Sequence, residues 1–224
     1  MEYLDISSIA WSNRMALAGV LLLAVVSSDA ADIEVTVLDR GGEAVPNVAV
    51  YIESDPDGPL PAPTNIAVMD QIDTRFVPHL LVVQTGTRVK FPNSDVIAHH
   101  VYSFSKPNNF MLPMYKGDLQ PRIFFDHDGV VTLGCNIHDH MVGYILVVDS
   151  HIFGKTNFDG ETVLTADNPN GLTVSIWSPR IDLKHENLTQ TISAGRSARI
   201  TFSLKEKLRA AHGDESEALS WNEN

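Results

Sequence analysis

The run VVTLGCNIHDHMVGYILVV, residues 130–148, carries the only cysteine of the 224-residue chain. Cys135 is followed at steps of three residues by His138 and Met141. GVVTL before Cys135 and the apolar run after Met141 both read as strands, so the three side chains fall on one short loop that can aim them at a common centre. Thiolate, imidazole and thioether are soft or borderline donors, and as a set they suit copper better than a hard cation.

A fourth donor comes from VKFPNSDVIAHHVYSFS, residues 89–105, where His99 and His100 stand just before a strand. Adjacent residues of an extended chain face opposite ways, so one of the two reaches the centre and the other points away. One cysteine, two histidines and a weak axial methionine make the donor set of a blue-copper electron-transfer site. Structural zinc sites prefer several cysteines or tetrahedral Cys/His sets and rarely take a thioether. A thiol nucleophile paired with His138 is the catalytic alternative, yet no Asn or Asp orienter is identifiable and Met141 then has no role. A lone cysteine is also commonly just a small buried hydrophobe. Against that plain reading, an unpaired thiol in an oxidising compartment is a liability unless protected or used.

That compartment is inferred from the N-terminus. Arg14 precedes the apolar run Met15 to Val26, with Ser28 and Ala30 at suitable cleavage positions, and the run is too short to span a bilayer. Residues 1–30 are therefore expected to be an export signal removed after Ala30, leaving a periplasmic protein without a membrane segment. The formal net charge is −12, and −10 once Glu2, Asp5, Arg14 and Asp29 are gone. An acidic chain of this kind argues against nucleic acid as a partner.

The elements that must position these residues read as strands throughout. With 44% hydrophobic residues the chain can build a proper core, and valine, isoleucine and threonine recur in short runs bounded by Gly, Pro, Asn and Asp. Residues 32–52 read as two strands joined by a turn at Arg40-Gly41-Gly42. A stretch with four prolines, ESDPDGPLPAPTN, follows as a boundary. Strand signals resume from Ile66 to residue 149 and again from 151 to 204, and the polar remainder reads as a tail. An isolated hairpin is marginal, so 32–52 needs a sheet to join. If it joins the C-terminal region, 66–149 is an insertion between two halves of one small sandwich.

Region 66–149 resembles a cupredoxin, the family of plastocyanin, pseudoazurin and amicyanin: Asn93 stands six residues before His99, and Cys135, His138 and Met141 follow in order on the short loop CNIHDHM. The resemblance implies an all-β, cupredoxin-like Greek-key β-sandwich holding one type 1 copper ion, with His99, Cys135, His138 and Met141 as ligands. The fuller pattern MDQIDTRFVPHLLVVQTGTRVKFPNSD, HHVYSFS and LGCNIHDHM is similar to bacterial periplasmic methylamine-utilisation proteins. Cupredoxins commonly carry asparagine after the first histidine, where it ties the ligand loops together. Here His100 either takes over that hydrogen bond or competes for the metal. The flanks VTVLDRGGEAVPNVAVYI and GKTNFDGETVL with LTVSIWSPR resemble the two parts of a small carboxypeptidase-regulatory-like (transthyretin-like) β-sandwich. The organisation expected is thus a signal at 1–30, first sandwich part 31–57, copper domain 66–149, second sandwich part 150–204 and a flexible polar tail 205–224.

These resemblances imply a one-electron carrier, not an enzyme, whose partner is a redox protein such as a c-type cytochrome or a periplasmic dehydrogenase. The alternative is a copper-sequestering or copper-delivery protein. Its features are His100 with Met111 and Met114 of FMLPMY, a segment otherwise read as a loop packed over the copper site. His140 is expected to point outward into solvent.

Overall fold

The computed structural model describes residues 30–53, 60–106, 108–117, 119–167, 171–184, 188–192 and 198–210. The expected export segment up to residue 29, and the tail from 211, lie outside them. Every regular element among the described residues is a strand, so the chain is all-β. In order these are β1 Ala31–Leu38, β2 Ala49–Ile52, β3 Ile66–Val68, β4 Asp70–Ile72, β5 Arg75–Val77 and β6 Leu80–Gln84. There follow β7 Thr87–Lys90, β8 His99–Ser103, β9 Phe110–Tyr115, β10 Arg122–Phe125, β11 Gly129–Gly134 and β12 Val142–Val148. The last are β13 Phe153–Lys155, β14 Glu161–Ala166, β15 Thr173–Trp177, β16 Thr189–Thr191 and β17 Ala198–Ser203.

Two facing sheets, ordered β14-β1-β17 and β13-β2-β15-β16, enclose one core. Strict alternation in β1 sends Ile33, Val35 and Val37 inward, where they meet Val50, Ile52, Val174, Ile176 and Phe202. Strands β1 and β2 are not the hairpin that their spacing predicts. Both edges of β1 are already taken, by β14 antiparallel and β17 parallel. Beyond the single bridge from Leu38 to Ala44, the chain crosses to the facing sheet, where β2 pairs with β13 and β15.

A second core lies between the sheets β10-β7-β3 and β6-β12-β11-β8-β9. It holds Met69, Phe76, Val89, Phe91, Val101, Leu133, Ile145 and Val147, and it includes Cys135 and Met141. The ribbon β4-β5 closes one side, and its Phe76 ring lies so close to Gly143 of β12 that a Cβ there would stand 2.7 Å from the Phe76 Cβ. Glycine at 143 is what lets the ribbon seat against the sheet.

The outer face of the five-stranded sheet is half covered. Leu80 and Val82 of β6 and Leu146 and Val148 of β12 pack against Ala49 and Trp177 of the other sandwich. Lys155 reaches into this seam and donates from Nζ to the Leu80 carbonyl at 3.0 Å. Burial, which disfavours the ammonium, lowers its pKa to about 8. The other half of that face, on β11, β8 and β9, carries the exposed side chain Met111 and, just past the end of β8, Phe104.

Candidate metal centre

His99 opens β8 with its side chain fully buried, while His100 turns the other way and is half-buried. Alternation along β8 is the reason: His99, Val101 and Ser103 face the core, and His100 and Tyr102 face out. Cys135 lies one residue past the end of β11, 3% exposed and with no disulfide partner. From there the chain makes a tight loop, closed by the Met141 N–H donating to the His138 carbonyl at 2.9 Å, and re-enters the sheet as β12. Antiparallel pairing of β11 with β12 fixes both ends of that loop.

The geometry brings three side chains together. Cys135 Sγ lies 4.0 Å from His99 Nδ1 and 3.9 Å from His138 Nδ1. One atom from each of His99, Cys135 and His138 falls within 4.8 Å of the others, and the two rings meet edge to face with centroids 5.0 Å apart. Metal–sulfur and metal–nitrogen bonds of about 2.3 and 2.0 Å, opened to roughly 120°, hold such donors about 3.7 Å apart. Both sulfur–nitrogen separations lie within a few tenths of an ångström of that value, so the set can close on one ion. Met141, 1% exposed, is buried in the same core as Cys135.

A further residue escaped the sequence reading. Asp95, its side chain 6% exposed, receives His99 Nε2 on Oδ2 at 2.8 Å. Burial alone would raise its pKa, but the Thr74 N–H, the His99 ring and the Val96 N–H outweigh it and hold the carboxyl below its usual range. An ionised carboxylate only accepts, so Nε2 carries a proton, which leaves Nδ1 as the ring atom able to offer a lone pair toward the sulfur. Asp95 thus sets both the tautomer and the orientation of His99, the part that outer carboxylates play for metal-binding histidines.

Asp95 is itself held. Its N–H donates to Asn93 Oδ1 at 3.0 Å, and Asn93 Nδ2 donates to the Ile97 and Tyr115 carbonyls at 3.0 and 2.9 Å. Thr74, in the β4–β5 turn where Asp73 and Thr74 have φ of 49° and 57°, donates its N–H to Asp95 Oδ2 at 2.8 Å. The Thr74 hydroxyl also meets His140 Nε2 at 3.2 Å. The β4–β5 turn therefore joins the His99 loop to the Cys135–Met141 loop. His140 is exposed, as expected, but bonded through this contact rather than merely solvated.

His100 does not make that tie through Nδ1, which is shielded from solvent and has no hydrogen-bond partner. Nor do Met111 and Met114 belong to a loop over the centre. They lie on β9, 59% and 55% exposed, because Leu112 and Tyr115 take the inward positions of that strand. His127 is exposed and paired with Asp126 at 2.8 Å.

No family model matches the chain, and no curated protein matches it. Among solved structures, a Cu-containing nitrite reductase from Thermus scotoductus SA-01 is similar over 40% of this chain and 25% of its own, at 24% identity and a TM-score of 0.36. This chain thus spans about a quarter of the length of that reductase. A purple cupredoxin from Nitrosopumilus maritimus is similar over 36% of this chain and 98% of its own, at 22% identity and a TM-score of 0.33. A reduced Cu(I) form of an amicyanin variant is similar over 44% of this chain and 97% of its own, at 22% identity and a TM-score of 0.35.

Proposed function

We propose that this chain is an exported, cupredoxin-type copper protein that carries single electrons between redox partners. His99, Cys135 and His138 would hold one type 1 copper ion, with Met141 as the weak axial donor. The observation that carries the reading is a buried, unpaired thiol within 4.0 Å of two imidazole nitrogens, one of them locked by a carboxylate. When bound, the ion supplies a reversible one-electron couple, tuned by the axial donor and the surroundings of the thiolate.

The protein's part is to keep the donors still. Asp95 fixes His99, Thr74 ties the two loops, and the core around Cys135 and Met141 excludes water. A scaffold that holds its donors in one arrangement leaves little to rearrange on oxidation or reduction. His138 is half-buried, so its ring edge is the opening to solvent, with exposed Ile137 beside it. A small apolar rim of this kind suits brief docking. The partner in this reading is a c-type cytochrome or a periplasmic dehydrogenase. Residues 66–149 form the copper domain, inserted between sandwich parts 31–57 and 150–204, with 1–30 removed on export. Copper sequestration or delivery is the competing use of the same donors.

The test is the visible spectrum of the copper-loaded protein. A carrier shows an intense thiolate charge-transfer band that a reductant bleaches reversibly. The band is lost in Cys135→Ser and His99→Ala and kept in His100→Ala. A colourless copper complex, or equal loss in the two histidine variants, overturns the reading.

A further inference from the structure

The register between β8 and β9 contains an irregularity with a chemical result. His99 pairs with Tyr115 and Val101 with Leu112, so two residues of β8 span three of β9. Pro113 and Met114 therefore share the place opposite His100, a β-bulge. In a regular strand Met114 would follow Leu112, two residues before it, into the core. The extra residue turns Met114 outward instead, onto the face that already carries Met111, which pairs with outward-facing Tyr102. Two exposed thioethers and the His100 ring are thus gathered on one side of an edge pair of strands, 59% and 55% exposed in the case of the methionines. Directly opposed side chains on such a pair start about 4.5–5.5 Å apart at Cβ and diagonal ones about 7–8 Å, within reach of long flexible thioethers.

His100 supplies the second observation. Its Nδ1 is shielded from solvent yet has no hydrogen-bond partner. A buried polar atom without a partner is uncommon and costly, and a metal ion is one partner that would satisfy it. The ring rests beside Tyr102, centroids 5.9 Å apart, which holds it over β8 on the side away from His99.

We infer that His100, Met111 and Met114 form a second, outward-facing site that binds Cu(I). Two thioethers and one imidazole are soft donors, matched to the monovalent ion and poorly matched to calcium, magnesium or manganese. The site shares no ligand with the inner centre and lies on the opposite face of β8. It extends the copper reading to a second ion but rests on its own residues.

The experiment is an anaerobic Cu(I) titration of the full chain against a colorimetric Cu(I) chelator, with sulfur coordination followed by copper X-ray absorption. Wild type is expected to withhold two equivalents. Met111→Leu with Met114→Leu, volume-conserving changes at exposed positions, is expected to withhold one and to keep the visible band on oxidation. Cys135→Ser is expected to keep the outer equivalent, its absorption spectrum showing two sulfur ligands and no thiolate. One equivalent in wild type, abolished by Cys135→Ser, overturns the outer site while leaving the carrier reading intact. A second equivalent that survives the double methionine variant overturns it as well. Two equivalents without any visible band on oxidation overturn the carrier reading and not this site.

Discussion

Asp95→Ala tests whether the inner centre depends on a residue that would not itself touch the metal. The substitution removes the acceptor for His99 Nε2 and for the Thr74 N–H, both at 2.8 Å. His99 is fully buried, so its N–H is left unpaired at a cost of about 1–3 kcal/mol to the metal-free fold. At roughly 2–4 °C per kcal/mol for a chain of this size, the metal-free melting temperature falls by several degrees. The ring also loses its enforced tautomer. Loss of such a supporting group typically weakens metal binding about 10- to 100-fold, or about 1.4–2.7 kcal/mol. By mass action, the stabilisation gained on adding copper shrinks by that same amount. Asp95→Asn separates the hydrogen bonds from the charge. Its carboxamide oxygen can take the place of Oδ2 and accept both the Thr74 N–H and His99 Nε2, so the variant keeps the tautomer and removes only the charge. It is expected to cost less stability and less copper affinity than Ala. The assay is denaturant unfolding of metal-free protein alongside chelator competition for copper. Unchanged affinity in both variants refutes the tautomer argument, and with it the claim that Asp95 prepares His99 for a metal.

Three further outcomes follow from contacts in the structure. Lys155, lowered to about 8 by burial from an ordinary 10.5, stays protonated in the unfolded chain after the folded chain has released its proton, so stability rises from pH 8 to pH 10. The gain is at most about 2.7 kcal/mol over those two units. Above pH 10 the trend turns down, because burial raises Tyr115 to about 12 and its phenol ionises first in the unfolded state. Urea unfolding at stepped pH reads this window, and Lys155→Met flattens it between pH 8 and 10. Gly143→Ala forces a Cβ to 2.7 Å from that of buried Phe76, and overpacking of this kind costs about 1–3 kcal/mol, read as a lowered melting temperature. Met141→Leu, nearly isosteric at a position 1% exposed, costs under about 1.5 kcal/mol. It keeps the visible band while the reduction potential rises, because an axial donor adds electron density that the oxidised ion needs more than the reduced one. An unmoved potential would remove Met141 from the donor set.

The meeting of residues 99, 135 and 138 rests on short-range rules that a sequence displays. A strand's two-residue period sends His99 inward and His100 outward, and a loop pinned between paired strands brings His138 back over Cys135. What the sequence hides depends on register. Asp95 reads as an ordinary loop carboxylate, since nothing local reveals that Thr74, some twenty residues earlier, donates to it across a turn with two left-handed residues. The exposure of Met114 turns on one extra residue in β9, and apolar FMLPMY gives no sign of where that residue falls. The separation of β1 from β2 has the same origin, because the strands occupying both edges of β1 come from residues 161–166 and 198–203.

The two histidines beside Cys135 are held differently, and under the proposed reading that difference divides the labour. His99 is fully buried and bonded to the carboxylate of Asp95, a residue held by the Thr74 N–H of another segment and by Asn93 two residues before it, and so has one orientation. His138 is half-buried on a seven-residue loop, with the exposed His140 ring 5.9 Å away. A centre built this way gains its rigidity from the His99 side and its access from the His138 side. A bulky polar substitution at Ile137, 48% exposed beside that opening, should then slow electron exchange with a small soluble redox partner. The visible band should not change, because Ile137 is not one of the proposed copper donors. If stopped-flow mixing shows exchange unaffected by Ile137→Glu but slowed by a charge placed at Phe104, electrons leave through the β8 face and the division fails.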